Sequence, residues 1–407
     1  MQPPNSALEK LSLTASLNVL LPAPLTGRGP SYTCGMLARS MHGPELSVTV
    51  FVPRTRGFSI APAQVHEALP FWLKRVPYRL INAYGDRKTE SDFLDEMRLR
   101  RNGSACAYVW PDTSLATVRA LRDAGVTVFR EMINCHRGTA KIILDEAYKR
   151  TGLPPLHSID DRSVENEQRV LQAVDQVFCP NACVESSLLE HGVERHKLLP
   201  ASYGWDPARF KGDSKLLPPD DGLTVVFAGT ICTRKGAHLL LDYWARSKVR
   251  GRLVFAGAIE PCIREKWGSL LARDDVQVMD YVSDVGGLYR SADVFAFPTL
   301  EEGGPQVTYE AAGCGLPAIT TPMGAGRITR HDREGFVLDP YDDKGWISAL
   351  QMMAEDRSKR QAMADAAREH ADAFQWTDVA KRRRQQILDH MSGATPERNR
   401  TPLEALV

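Results

Sequence analysis

The feature that most restricts this fold is an alternation, repeated twice, of short β-prone apolar runs with stretches long enough for a helix. "SLNVLLP" (16–22), "LSVTVFV" (46–52), "YRLINAY" (78–84), "ACAYVWP" (105–111) and "GVTVFRE" (125–131) each suit a strand buried on both faces, and "DQVFCP" (175–180) is a shorter example. Helix-length segments such as 113–125 lie between them, with Thr113 as the expected N-cap. At 200–222 the texture changes: Pro, Gly and Asp accumulate and periodicity disappears, which reads as a linker. The alternation then resumes with apolar runs at 223–229, 251–257, 276–282, 292–298, 316–322 and 335–340. Strands alternating with helices pair in parallel, so the expected class is α/β: two Rossmann-like, doubly wound domains in tandem. Ligands of such sheets bind beyond the carboxyl ends of the strands, and a cleft between the domains is the expected site.

Composition narrows the function classes. A chain of 407 residues exceeds one ordinary core. Lys plus Arg number 51 against 50 Asp plus Glu, so global charge does not point to a nucleic-acid partner. The eight cysteines are scattered without zinc-ligand spacing and no secretory signal is read, so reduced thiols and a cytoplasmic protein are expected. No apolar run approaches a membrane span, which leaves at most peripheral contact at the inner face of a membrane.

Three segments carry chemistry. In "EEGGPQVTYEAAGCGLP" (301–317), Pro305 suits the first turn of a helix, and Gly303 and Gly304 clear side chains from its start. Free N–H groups and the helix dipole there favour an anion such as a diphosphate. Glu310 lies over a turn further in, where a ribose hydroxyl would satisfy it, and Glu302 precedes the helix in the loop. The alternative makes Glu310 a surface residue and Glu302 an N-terminal charge. In "FAGTICTRKGAHLLLDYW" (227–244) a strand ends at Gly229, and Arg234 and Lys235 precede a helix. Cations there oppose the helix dipole unless an anion is bound, and the pair can neutralise a departing phosphate. In "LPAPLTGRGPSYTCGMLARSM" (21–41), Gly27 and Gly29 permit close backbone approach. Tyr32 stands where the dinucleotide fingerprint needs glycine, which argues against a dehydrogenase. "KRRR" (381–384) reads most simply as a solvated helix face, with Thr377 as a cap for the final helix.

The second half resembles retaining glycosyltransferases of the GT-B fold, particularly glycosyltransferase family 4. The carrying residues are "FAGTICTRKG", "YRSADVFAFPTLEEGGPQVTYEAAGCGLPAITT" and "GFVLDPYD", with Glu302 and Glu310 on the family's Glu, seven residues, Glu signature. The first half resembles the family more loosely, through "LTGRGPSYTCGMLA", "VFCPNACVESSLLEHGV" and "LLPASYGWDPARF".

The resemblance implies an acceptor-binding domain at 1–205 with a linker to about 222. A nucleotide-sugar domain follows at 222–375, then a helix at 376–392 returning to the first domain and a flexible tail at 393–407. It implies transfer of a sugar from a nucleotide diphosphate, UDP before GDP, to a glycan or lipid-linked hydroxyl with retention, and neither cofactor nor metal. Arg234 and Lys235 would stabilise the leaving group, Glu302 would hold the donor sugar and Glu310 the ribose. Gly27, Gly29, Gly229, Gly303, Gly304, Pro305, Gln306 and Val307 would complete the donor site, with Tyr281 and Val282 near the base. His136 is the candidate for a family histidine that approaches the donor sugar, with Asn134 and Arg137 as lesser candidates; a satisfied loop histidine is the alternative. The sequence departs from the family pattern at Thr230, where arginine is common, and in "PMGAGRITRHDREG" (322–335), which lacks a common glutamate. A non-catalytic sugar-nucleotide-binding protein and a sugar-nucleotide 2-epimerase are the alternatives for function. "ALPFWLKRVPYRL" (68–80) reads as a core segment leading into a strand, with contact to an anionic bilayer as the other reading.

Overall fold

The computed structural model describes residues 15–99 and 105–393. Seven strands form the first sheet: β1 (Ala15–Leu20), β2 (Leu46–Val52), β3 (Gln64–Glu67), β4 (Ala105–Val109), β5 (Val128–Glu131), β6 (Gln176–Cys179) and β7 (Leu198–Pro200), in the order β3-β2-β1-β4-β5-β6-β7. Six form the second: β8 (Leu223–Ala228), β9 (Gly251–Ala256), β10 (Val276–Met279), β11 (Val294–Phe297), β12 (Ala318–Thr320) and β13 (Gly335–Val337), in the order β10-β9-β8-β11-β12-β13. Every residue of β8 and β11 is buried, which is why their sequences read as unbroken apolar runs. Pairing is parallel, with Val294 opposite Val225 and Phe295 opposite Val226. Strand order reverses between β8 and β11, so the loops leaving their carboxyl ends diverge and leave a place where a ligand can be met.

Sheet membership changes at the linker, but compactness does not. The chain divides between Phe129 and Arg130, inside β5, and between Arg383 and Arg384, inside the helix Trp376–Met391. The reason lies in ties within the second unit. Arg327 donates to the Ala201 carbonyl at 2.7 Å and pairs with Glu185. Trp205 Nε1 donates to the Ala371 carbonyl at 2.8 Å. Glu131 and Arg383, exposed by 0% and 1%, form a buried ion pair that also engages the Ser202 carbonyl at 3.2 Å. Arg383 is therefore no part of a solvated face. Within the first unit, Phe93 packs edge-on against Phe51 at 5.2 Å, and His390 packs edge-on against Phe129 at 5.4 Å.

Local corrections follow from competing structure. The strand expected at 78–84 is absent: Tyr78–Leu80 is a 3₁₀ turn and Asn82–Leu99 a helix. The polar edge strand β3 had no apolar signature to announce it. The cap of the helix Leu115–Asp123 is Ser114, whose side chain accepts from the Thr117 amide, while Thr113 donates to the Trp110 carbonyl at 2.8 Å. Thr377 lies inside its helix and does not cap it. None of the eight cysteines forms a disulfide. From residue 394, the tail expected at 393–407 lies outside the described residues.

Removing one member of a buried ion pair strands the other. Glu131→Ala is therefore expected to cost about 3–5 kcal/mol, read as a lower urea midpoint, whereas replacing Glu131 and Arg383 together by methionine should recover most of the loss.

Candidate functional site

The loop after β8 is shaped by two glycines. Gly229 (φ 126°) lies under the Lys235 side chain, where a Cβ would sit 3.0 Å from Nζ. Gly236 (φ 67°) caps the helix Ala237–Ser247 and lets the loop close onto the Pro298 carbonyl at the exit of β11. The two loops are joined by the backbone bond from the Leu300 amide to the Arg234 carbonyl, 2.9 Å. Arg234 is thereby held beside residues 301 and 302.

Four charges meet there. Arg234 donates to the Glu301 carbonyl at 2.9 Å and lies 3.1 Å from Glu302 Oε1 and 3.4 Å from Glu301 Oε2. Lys235 Nζ lies 3.4 Å from the same Glu302 oxygen and 5.4 Å from the Phe297 ring centroid. Burial alone would raise the Glu302 carboxyl, but Lys235 and Arg234 more than offset it and hold it below the usual range. Burial opposes charge on Arg234, yet Glu302 and Glu301 keep it firmly protonated. Glu301 goes the other way: burial raises it against the pull of Arg234, and Glu302 adds to the rise. Adjacent carboxylates are thus driven apart by their surroundings.

Glu301 was missed by sequence reasoning. Its side chain is 3% exposed, and both oxygens accept from Asn134 Nδ2 at 2.7 Å, with Cys135 Sγ at 3.6 Å. Two consecutive glutamates were visible, but only Glu302 carried the signature spacing. Asn134, a lesser candidate, enters the cluster, and Cys135 touches it through its thiol.

His136 does not join it. The ring is buried and stacked on His191 with centroids 3.9 Å apart. Nδ1 accepts from the Gly138 amide at 3.0 Å, so Nε2 carries the proton and donates to Gln168 Oε1 at 3.0 Å. Burial, then His191, push its pKa down to about 4, which leaves it neutral at pH 7. In this arrangement both ring nitrogens are partnered, as the reading of a satisfied loop histidine expects. Arg137 faces Glu167, whose carboxylate accepts its amide at 2.7 Å.

The helix Gln306–Gly313 begins after Pro305, which is its N-cap and not its first-turn residue, and no side chain caps it. Nε2 of Gln306 is buried with no acceptor among the described residues. Gly303 and Gly304 do not open this start as expected. A Cβ on Gly303 would collide with the Ile133 carbonyl, and the Gly303 carbonyl accepts from Asn181. A Cβ on Gly304 would sit 2.7 Å from Tyr203 and 3.1 Å from Pro180. These glycines admit other backbone, and residues 303–305 are buried. Further along, Glu310 is buried, which raises its carboxyl, and Arg209 at 3.3 Å opposes the rise. Val307 is half-buried in the first turn. Tyr281, 78% exposed, and Val282 follow edge strand β10. Gly27 and Gly29 belong to the first unit, where Gly29 (φ 52°) caps the helix Pro30–Met41 and a Cβ would meet nothing within 4 Å.

Residues 222–356 match the family described as glycosyl transferases group 1. That segment, about a third of the chain, is what resembles the glycosyl transferases group 1 family. The chain is 26% identical over 244 residues to a D-inositol 3-phosphate glycosyltransferase of Paenarthrobacter aurescens, 54% of this chain and 58% of that protein. It is 34% identical over 99 residues to the protein of that name in Corynebacterium kroppenstedtii, 24% of this chain and 22% of the relative. The matches thus span a fifth to three fifths of these relatives. Sucrose-phosphate synthase from Thermosynechococcus elongatus superposes with a TM-score of 0.70 at 16% identity, covering 94% of this chain and all of that one. Anabaena Alr3699/HepE in complex with UDP-glucose superposes at 0.63 and 16% identity, covering 93% of this chain and all of the other. The fold is GT-B, as the resemblance implied.

Glu301→Ala removes a charge-assisted acceptor worth roughly 1.5–3 kcal/mol. Amides at 133–135 and 302–304 are then expected to exchange hydrogen about tenfold faster or more, with the sheet cores unchanged.

Proposed function

We propose that this protein is a retaining glycosyltransferase that moves a sugar from a UDP-linked donor to a hydroxyl of a glycan or lipid-linked acceptor. The observation that carries the reading is the pairing of Arg234 and Lys235 on one oxygen of Glu302, where β8 and β11 diverge. Two cations before a helix N-terminus need an anion, and in this structure Glu302 supplies it. A nucleoside diphosphate would take over both cations and free Glu302 for hydroxyls of the donor sugar. The uncapped start of Gln306–Gly313 and the buried Gln306 amide would receive the diphosphate once residues 303–305 are uncovered. Glu310 would accept from the ribose, in exchange for its contact with Arg209 or beside it.

The acceptor oxygen attacks the anomeric carbon on the face that the diphosphate leaves. The bond from that carbon to the diphosphate oxygen breaks, its electron pair stays on the diphosphate, and the acceptor proton passes to that diphosphate. Arg234, Lys235 and the helix start stabilise the charge that develops. UDP is favoured because Alr3699/HepE is described with UDP and with UDP-glucose. A glycan or lipid-linked acceptor is favoured because a second GT-B protein, WaaG, is described as acting in lipopolysaccharide biosynthesis.

Incubation with UDP-, GDP- and ADP-sugars tests this reading: UDP-sugars should raise the unfolding temperature most, and release of UDP should depend on an acceptor. Product from UDP-N-acetylglucosamine without acceptor would instead identify an epimerase. Lys235→Ala is expected to lower kcat about 10²- to 10³-fold, as loss of one preorganised charge partner does. Arg209→Met removes the cation that opposes the raised Glu310 pKa. The carboxylate should then protonate at a higher pH, so UDP binding should fail earlier on acidification. An acid midpoint identical to the parent's would exclude Glu310 from the ribose contact.

A further inference from the structure

Residues 70–87 of the first unit do not form the core segment their composition suggests. Two 3₁₀ turns, Phe71–Arg75 and Tyr78–Leu80, contain no buried residue. Phe71, Trp72 and Leu80 are 74%, 69% and 70% exposed, and Tyr84 on the following helix is 47% exposed. Trp72, Leu80, Ile81 and Tyr84 line one shallow groove with Arg87 at its edge. Scattered exposed apolar residues need no explanation, but four large ones on a single short segment do.

The segment is anchored from its polar side. One Arg54 nitrogen donates to the Lys74 carbonyl at 2.8 Å and to the Val76 carbonyl at 2.7 Å. Lys74 pairs with Glu67, and the Tyr78 hydroxyl donates to Asp86. The Arg54 guanidinium lies 5.2 Å from the Tyr78 ring centroid, and Gly85 makes room for that ring. Its polar groups are spent on holding the turns in place, and the apolar side chains are left facing solvent.

The charge around them has one sign. Arg75, Arg79 and Arg87 are exposed. The neighbouring carboxylates are engaged: Glu67 by Lys74 and Thr55, Asp86 by Tyr78, Glu90 by Ser114 and Thr117, Asp92 by Lys88. Four partly exposed side chains offer roughly a few hundred Å² of apolar surface, below the ~800 Å² per partner of a stable protein interface. Aromatic tips flanked by arginines match the boundary of an anionic bilayer, where rings enter the headgroup layer and guanidinium groups meet phosphates.

We propose that this surface docks the protein onto an anionic lipid surface through Phe71, Trp72, Leu80 and Tyr84, with Arg75 and Arg79 on the headgroups. The inference goes beyond the sugar-transfer reading and does not depend on it. It is tested by co-sedimentation of the full chain with vesicles of phosphatidylcholine alone and of phosphatidylcholine mixed with phosphatidylglycerol. Binding is expected to the mixed vesicles only, and to weaken at high salt. Phe71→Ser/Trp72→Ser and Arg75→Gln/Arg79→Gln should each weaken it about tenfold or more, while the unfolding temperature of each variant stays at the parental value. Failure to bind mixed vesicles at low salt, or equal binding by parent and the Phe71→Ser/Trp72→Ser variant, would overturn it. So would light scattering that finds a parental dimer which that variant dissociates, because the surface would then cover a second copy.

Discussion

Glu302 is the counter-charge on which the site depends. Arg234 and Lys235 lie in the loop that leads into a helix, where the backbone dipole is positive, and without a carboxylate between them that loop would carry uncompensated charge in a largely buried place. Glu302 comes from the exit of the strand beside β8, so the parallel pairing of β8 with β11 brings acid and bases together. Glu301, on the other side of Arg234, spreads the guanidinium charge over a second carboxylate and ties the loop to Asn134. A cluster neutralised internally can exist without ligand and still exchange its internal anion for an external one.

Much of this was legible because it is local. Unbroken apolar runs identify strands buried on both faces, and a cation pair at the end of one strand with carboxylates at the end of another fall together once those strands are neighbours. What was not legible depends on partners far away in the chain. Asn134 and Glu301 are 167 positions apart, and which of two adjacent glutamates turns inward follows from how the loops close on each other. Arg383 read as one cation among four, yet Glu131 at the end of β5 draws it into the interior. Gly303 and Gly304 read as room for a ligand; glycine leaves room for anything, and here backbone and aromatic rings use it.

The 68–80 stretch shows the opposite failure. An apolar run adjoining a strand-like pattern reads as core, since hydrophobicity does not say which side of a segment is fastened down. Arg54 and Asp86 supply that information, through bonds to the Lys74 and Val76 carbonyls and to the Tyr78 hydroxyl. The same anchoring removes the strand expected at 78–84, because Tyr78 is committed to a turn before the helix Asn82–Leu99 begins.

The enclosure of residues 303–305 has a kinetic meaning. On the proposed reading, a nucleotide would meet the amides after Pro305 once residues 303–305 are uncovered and the Asn181 bond to the Gly303 carbonyl is released. Its observed affinity is the intrinsic affinity scaled by the fraction of molecules in that uncovered form. If uncovering must come first, then at high nucleotide concentration the protein's own opening sets the pace of capture.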